Sequence, residues 1–383
     1  MLISSFRSGN FEISIYNSLE KKVADKWEKI KSESLNSAYL CFIEDSKPED
    51  LKFRYVIIEE KIENKNEVCA IIYFQLLKFT KKNIYFRNSF FLSSLVRIIL
   101  TLNPFHLLIC GNLFAVNFPA INFKENKIER GELLDILSQI QKIEKSEVFI
   151  LKDLDNEFTK LCKDRTDWLP YPFDLTMALS IDPLWISMKD YIQSLTKKYK
   201  RRSEKIIEAG NKMTRKELNA EEIKLESNQI KILFNQVASK QTVKMGQIGE
   251  NYFYEFKKRF PDEFSFVGFY YENKMVAFST YIEHGKILEM HYIGINYYFN
   301  KNLMIYFNIL LDGVEKAIIN KKEQLELGRT AREAKANIGA KPVYFNDFIS
   351  VNGWFAKTLS NKFINYFQTE IGDKWTEKHP FRK

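Results

Sequence analysis

The chain has 383 residues, 45% of them hydrophobic and 28% charged, with only 14 glycines and 9 prolines. That length exceeds what one hydrophobic core ordinarily serves, and that composition excludes a disordered or collagen-like chain, so two compact lobes are expected. The net charge of +9, from 58 Lys and Arg against 49 Asp and Glu, suits simple solubility and also suits an anionic partner: a nucleotide, an acidic carrier protein, a membrane surface or a nucleic acid.

The first residues hold no basic segment followed by an apolar stretch and a small-residue cleavage site, so a cytoplasmic chain is expected, with peripheral contact at the inner membrane left open. Phe53 to Glu60 and Val68 to Phe79 read as two strands joined by the polar turn Glu63-Asn64-Lys65-Asn66. Ser89 to Phe118 is strongly apolar, but Arg97, Asn103, Pro104, His106 and Asn112 interrupt it, leaving no clean span of about 18 residues for a membrane helix. An apolar helix ending near Thr101, a proline turn and a strand from His106 to Val116 fit this pattern; a membrane-touching or acyl-chain-lining segment is the alternative. Glu132 to Ile143 reads as a helix, Glu147 to Leu151 as a strand and Asn156 to Lys163 as a short helix. Trp168 to Pro172 breaks the pattern, and Phe173 to Ser180 is a further strand. The cysteines Cys41, Cys69, Cys110 and Cys162 are isolated, with no metal-binding spacing, so they are expected to be reduced and buried and no metal is expected.

The boundary near Asp182-Pro183 divides the chain into lobes 1–181 and 182–383. Apolar residues from Trp185 through Ile206 recur at helical steps and predict one long helix. Asn228 to Ser239 and Glu250 to Phe260 are two more. Phe264 to Tyr271, Met275 to Glu283 and Ile287 to Asn296 form an antiparallel meander with short polar turns. A helix from Leu303 to Asn320, a strand from Gln324 to Gly328, a short helix from Ala331 to Ile338, a strand from Val343 to Val351 and a closing helix from Phe355 to Gln368 complete the reading. Thr330 and Glu333 have capping-box spacing for the short helix. Both halves run strand, turn, strand and then strand, helix, strand, helix, strand, which suggests a duplicated α/β lobe.

Two local patterns carry a family resemblance: Tyr191-Ile192-x-x-Leu195-x-x-Lys198-Tyr199-x-Arg201-Arg202, and Leu327-Gly328-Arg329-Thr330-Ala331-x-x-x-Lys335 followed by Gly339 and Pro342. With the element order of the second half, these resemble the GNAT superfamily of acyltransferases, and the tandem arrangement resembles Fem-type peptidoglycan biosynthesis and recognition proteins. The resemblance implies an α/β (α+β) fold of two GNAT-like lobes, each a mixed, largely antiparallel sheet flanked by helices, the first lobe degenerate and the second catalytic. It also implies N-acyl transfer from a thioester, acyl-CoA or acyl carrier protein, as co-substrate with no tightly bound cofactor. Family members that use CoA place a glycine-rich loop after the central strand; here Asn296 to Asn302 contains no glycine.

Acyl transfer to an amine needs a base, oxyanion donors and an acid for the leaving group. Glu289 and His291 sit two apart on the third meander strand, so period-two geometry turns both to one face, away from Leu288, Met290 and Tyr292. Either is a candidate base, and Tyr281 or Tyr292 a candidate acid for the thiolate. Asn302, before the helix at Leu303, and Arg329 and Lys335, beside a strand end, are candidates for holding an anionic donor. Lys198 and Arg202 lie in the densest cationic run, Lys197 to Lys205, and with Tyr292 are candidates for substrate or carrier contact, against the plainer reading of a solvated helix face. The many aromatic residues make a lipid or amino-lipid acceptor, and so lipid biosynthesis in the cell envelope, one expectation. Two alternatives stand beside it: a Fem-type transferase using aminoacyl-tRNA, the one reading that calls for nucleic acid, and a non-catalytic binding protein. No GxGxxG, GxxxxGK[ST], HExxH or GxSxG occurs, which removes the usual supports of dehydrogenase, nucleotide-hydrolase, zinc-protease and serine-hydrolase chemistry.

Overall fold

A computed structural model describes residues 1–30, 35–62, 65–84, 98, 100–171, 174–241, 243–352 and 375–382. In chain order the first elements are β1 (Leu2–Ser8), β2 (Phe11–Tyr16), α1 (Lys21–Trp27), α2 (Ser37–Asp45), β3 (Leu51–Ile62), β4 (Lys65–Phe79), β5 (Phe105–Cys110), β6 (Ile121–Phe123), α3 (Arg130–Ile143), β7 (Val148–Leu151), α4 (Asn156–Lys163), β8 (Leu169–Tyr171) and β9 (Leu175–Ser180). There follow α5 (Met188–Ser194), α6 (Lys197–Gly210), β10 (Thr214–Glu217), α7 (Ala220–Leu225), α8 (Ser227–Ala238), α9 (Tyr252–Arg259), β11 (Phe264–Tyr271), β12 (Lys274–His284) and β13 (Ile287–Ile295). The last are α10 (Tyr297–Leu303), α11 (Ile305–Ile319), β14 (Gln324–Glu326), α12 (Arg332–Ala336), β15 (Lys341–Tyr344) and β16 (Asp347–Val351).

The chain forms two compact units. The first comprises 1–174, 242–249 and 345–371; the second comprises 175–241, 250–344 and 372–383. These do not coincide with the halves on either side of Asp182, because each unit takes a strand from the other half. In the first unit the described sheet runs β1-β2-β3-β4-β5-β7-β16-β8, with β6 beside β4. Strand β16, near the end of the chain, pairs with both β7 and β8. Lys152, next to β7, holds its ammonium 3.2 Å from Asp174 Oδ2 and 3.8 Å from Asp347 Oδ2, tying the end of this unit's first segment to the start of its last. The strand expected to reach Val116 stops at Cys110 because Gly111, at φ +153°, packs against the Lys152 side chain and Asn112 turns to accept from Phe114 N. The apolar helix ahead of it lies largely outside the described residues, and the closing helix 355–368 lies outside them entirely. No helix among the described residues is long and apolar enough to cross a membrane.

In the second unit the sheet runs β10-β11-β12-β13-β14-β9-β15, antiparallel except for the pair β13/β14. The runs FSFVGFYY of β11 and MVAFSTYI within β12 are buried along nearly their whole length because helices cover both faces of the sheet. On one face, Phe253 and Phe256 of α9 pack against Phe264, Phe266 and Phe278. On the other, Gly313 of α11 comes so close that a Cβ there would lie 2.7 Å from Met290 Cε and 3.4 Å from Tyr281 Cε1.

Three expectations change here. The helix expected from Trp185 through Ile206 is two helices, since Leu195 turns extended and bridges to Phe381 while Thr196 N donates to Pro380 O. The strand expected over Val343 to Val351 is two, β15 pairing with β9 in one sheet and β16 with β7 in the other. The capping box does not form: Ala331 is the N-cap, at φ +54°, and Glu333 instead accepts from Thr376 N and pairs with Lys378.

Candidate functional site

Strand β13 is bulged at its centre. Tyr281 pairs with Met290 and Ser279 with Ile293, so His291 and Tyr292 together oppose Thr280. The Thr280 hydroxyl satisfies the displaced backbone, donating to Tyr292 O at 3.1 Å and accepting from Tyr292 N at 2.9 Å. The extra residue resets the alternation, and Tyr292 turns to the face of His291, with ring centroids 4.3 Å apart. The strict two-residue period had placed it on the opposite face with Leu288 and Met290.

On that face four side chains are linked. Glu289 Oε1 lies 3.0 Å from His291 Nδ1, His291 Nε2 lies 2.8 Å from the Tyr252 hydroxyl, and Glu289 Oε2 lies 3.5 Å from His284 Nε2. The Glu289 and His291 side chains are 5% and 2% exposed, whereas that of His284 is 55% exposed. Burial acts to raise the Glu289 pKa, but the hydrogen bonds from His284 and His291 outweigh it and hold the carboxyl down at about 2. An ionised carboxylate only accepts, so His291 donates to Glu289 from Nδ1, which in a neutral ring leaves Nε2 to accept from the Tyr252 O–H. The result is an imidazole with a fixed tautomer and an anion behind it.

A second carboxyl stands beside the first. Glu326 of β14 is in register with Glu289 and is buried; its Oε1 accepts from Gly328 N at 2.8 Å and from the Thr176 hydroxyl of β9. Burial raises its pKa, and the Glu289 charge raises it further. Lys335 is also buried, its ammonium donating to Gly328 O at 3.0 Å with Glu326 nearby, so the anion it meets includes the chain's own carboxyl. The Tyr292 phenol is kept protonated by burial and by the charge of Glu289, which Arg329 partly counters.

Glu289 and Glu326 also mark where two strands part. Strand β13 pairs with β14 only over Ile287 to Glu289; beyond that Leu327 N donates to Met177 O and Met177 N to Gly328 O, so the chain after β14 follows β9 instead. Among the described strands, Met290 to Ile295 pair with β12 alone. Among the described residues, one backbone edge of the bulged segment thus has no strand partner beside His291 and Tyr292. An extended chain with amide groups fits such an edge.

Other expected residues lie elsewhere. Tyr281 shares the α11 face with Met290 and donates to Asp312 Oδ2 at 2.6 Å, so it is removed from the Glu289–His291 face. Asn302 is exposed in α10 rather than at the start of the long helix; α10 ends on Met304 at φ +47°, and Asn300 Oδ1 accepts from Tyr306 N. Lys198 and Arg202 are exposed on α6, on the α11 side of the sheet, with the Arg202 guanidinium 4.8 Å from the Phe307 ring centre. A surface cavity of about 370 Å³ lined by Ile3, Asn17, Lys52, Phe53 and Arg54 contains no candidate residue.

Tyr252, His284, Glu326 and Thr176 join the site without having been singled out. His284 was visible as one of 4 histidines but reads as an ordinary turn residue. For the other three no local pattern gives a signal; long-range pairing alone brings them to Glu289.

No protein-family model and no curated protein matches the chain. Among solved structures, FemX aligns with a TM-score of 0.51 at 10% identity, covering 94% of this chain and 100% of that one. The C-terminal domain of a putative lysylphosphatidylglycerol synthetase from Agrobacterium fabrum gives 0.47 at 10% identity, covering 90% and 94%. A tandem GNAT protein from the clavulanic acid biosynthesis pathway gives 0.48 at 7% identity, covering 90% and 99%. At these identities the likeness is one of fold: this chain has a GNAT-like fold, two mixed sheets flanked by helices, resembling Fem-type proteins.

Proposed function

We propose that the chain is an N-acyltransferase that moves an acyl group from a thioester to an amine, with His291, backed by Glu289, as the base. The observation that carries this reading is the buried Glu289–His291–Tyr252 chain at a bulge beside a strand edge with no strand partner among the described residues. The amide-bearing arm of an acyl-CoA or acyl carrier protein extends along Met290 to Ile295 and presents its carbonyl near the bulge. The amine nitrogen attacks that carbon; its proton passes to the Tyr252 oxygen as the Tyr252 proton passes to His291 Nε2, and Glu289 stabilises the imidazolium. As the C–S bond breaks, the protonated Tyr292 phenol supplies the proton for the thiolate. Arg329, beside Tyr292, contributes positive charge for an anionic donor. The ring-rich composition favours a long-chain or lipid amine as acceptor.

The test is thiol release by the purified full chain, given acyl-CoAs of several chain lengths and short- and long-chain amines. Glu289→Gln and His291→Ala are expected to lower turnover about 100-fold or more. Absence of thiol release with every pair, or unchanged turnover in both variants, defeats the reading. One observation favours a second reading, transfer from aminoacyl-tRNA: Tyr297–Leu303 closes into a helix with no glycine, where a CoA pyrophosphate would need bare amides. Activity that requires charged tRNA and is abolished by ribonuclease would select it.

A further inference from the structure

The carboxylate of Glu289 is shared. One oxygen serves His291 and the other lies 3.5 Å from His284, whose ring is half exposed at the end of β12 while Glu289 and His291 are shut away from water. Of the three, His284 is therefore the one whose ring meets solvent. From the elements packed around them, the facing groups are Tyr252 of α9, Glu326 of β14, Lys335 of α12, and Arg329 and Tyr292 beside the bulge. Glu283, next to His284 in sequence, is committed elsewhere, to Asn320 and Lys322.

Building on the acyl-transfer reading, we propose that His284 is a positioning residue that sets the pH range of the His291 base by sharing the Glu289 carboxylate. When His284 is neutral, Glu289 gives its full charge to His291, which then binds a proton most strongly. When His284 is protonated, its cation draws on the same carboxylate and His291 binds a proton less strongly. The exposed histidine thus opposes protonation of the buried one as pH falls, keeping the base available further into the acid range. No group is consumed; the step is proton uptake from water at His284.

The sign is testable with two substitutions at one exposed position. His284→Gln removes the cation, so His291 takes a proton at higher pH and the acidic limb of the kcat/KM profile moves up; His284→Lys makes the cation permanent and moves it down. At a separation of several ångströms in a partly screened site, each shift is about 0.5 to 1 pH unit. Superimposable limbs in all three proteins, or a pH-independent loss in His284→Gln that His284→Lys does not restore, overturn the proposal. A readout free of turnover separates it from the acyl-transfer reading: the His291 ring resonances, titrated by NMR in wild type and both variants, should move in the same two directions even if no thioester is consumed. Identical titrations in the three proteins overturn it as well.

Discussion

Glu289 shows how a residue can be legible as a candidate while its state is not. Its place on the third meander strand, two from His291, follows from sequence alternation, but a carboxyl in an apolar interior would ordinarily be neutral. Here two imidazoles hold its pKa at about 2, below the ordinary 4.5. A depressed acid contributes stability that is fully present above about pH 4.5 and lost as the pH falls toward 2. Urea midpoints measured across that window should therefore drop more steeply in wild type than in Glu289→Gln, which carries no titrating group there; parallel curves would show that the carboxyl is not held ionised. Tyr281 is the converse case. Its residue type suited an acid, yet its partner is Asp312 of α11. Tyr281→Phe should cost about 1 to 2 kcal/mol in stability, from one lost buried hydrogen bond to a charged group, with turnover within about twofold of wild type. A large loss of turnover at full stability would return Tyr281 to the site.

The elements were easier to foresee than their pairing. The meander and the helices around it follow from runs of apolar residues and turn residues, each a short-range signal. The bulge at His291 and Tyr292 does not, because it appears only when β12 and β13 are placed in register. It decides which aromatic ring faces the base. The Thr280 hydroxyl anchors it, so Thr280→Val, close in shape but without the hydroxyl, should destabilise the protein by about 1 to 3 kcal/mol and lower turnover by loosening His291 and Tyr292. Chemical denaturation and thiol release on the same sample check both; a fully stable, fully active variant would mean that the bulge holds itself.

For the whole molecule, the two units cannot be separated at the point where composition suggests a boundary. Strand β9, residues 175–180, lies between β14 and β15 in the second sheet, while β16 belongs to the first. A fragment of residues 182–383 lacks β9 and should show no cooperative unfolding by circular dichroism; a sharp transition in that fragment would contradict the exchange of strands. The sequence by itself determined the α/β class, the two-unit size, most helices and strands, and the Glu289–His291 pair, because periodicity and side-chain alternation act over a few residues. Only the tertiary structure decided the exchange of β9 and β16, the bulge that turns Tyr292, and the arrival of Tyr252, His284 and Glu326 around Glu289. Those depend on register and pairing between segments far apart in the chain, and no local pattern encodes them.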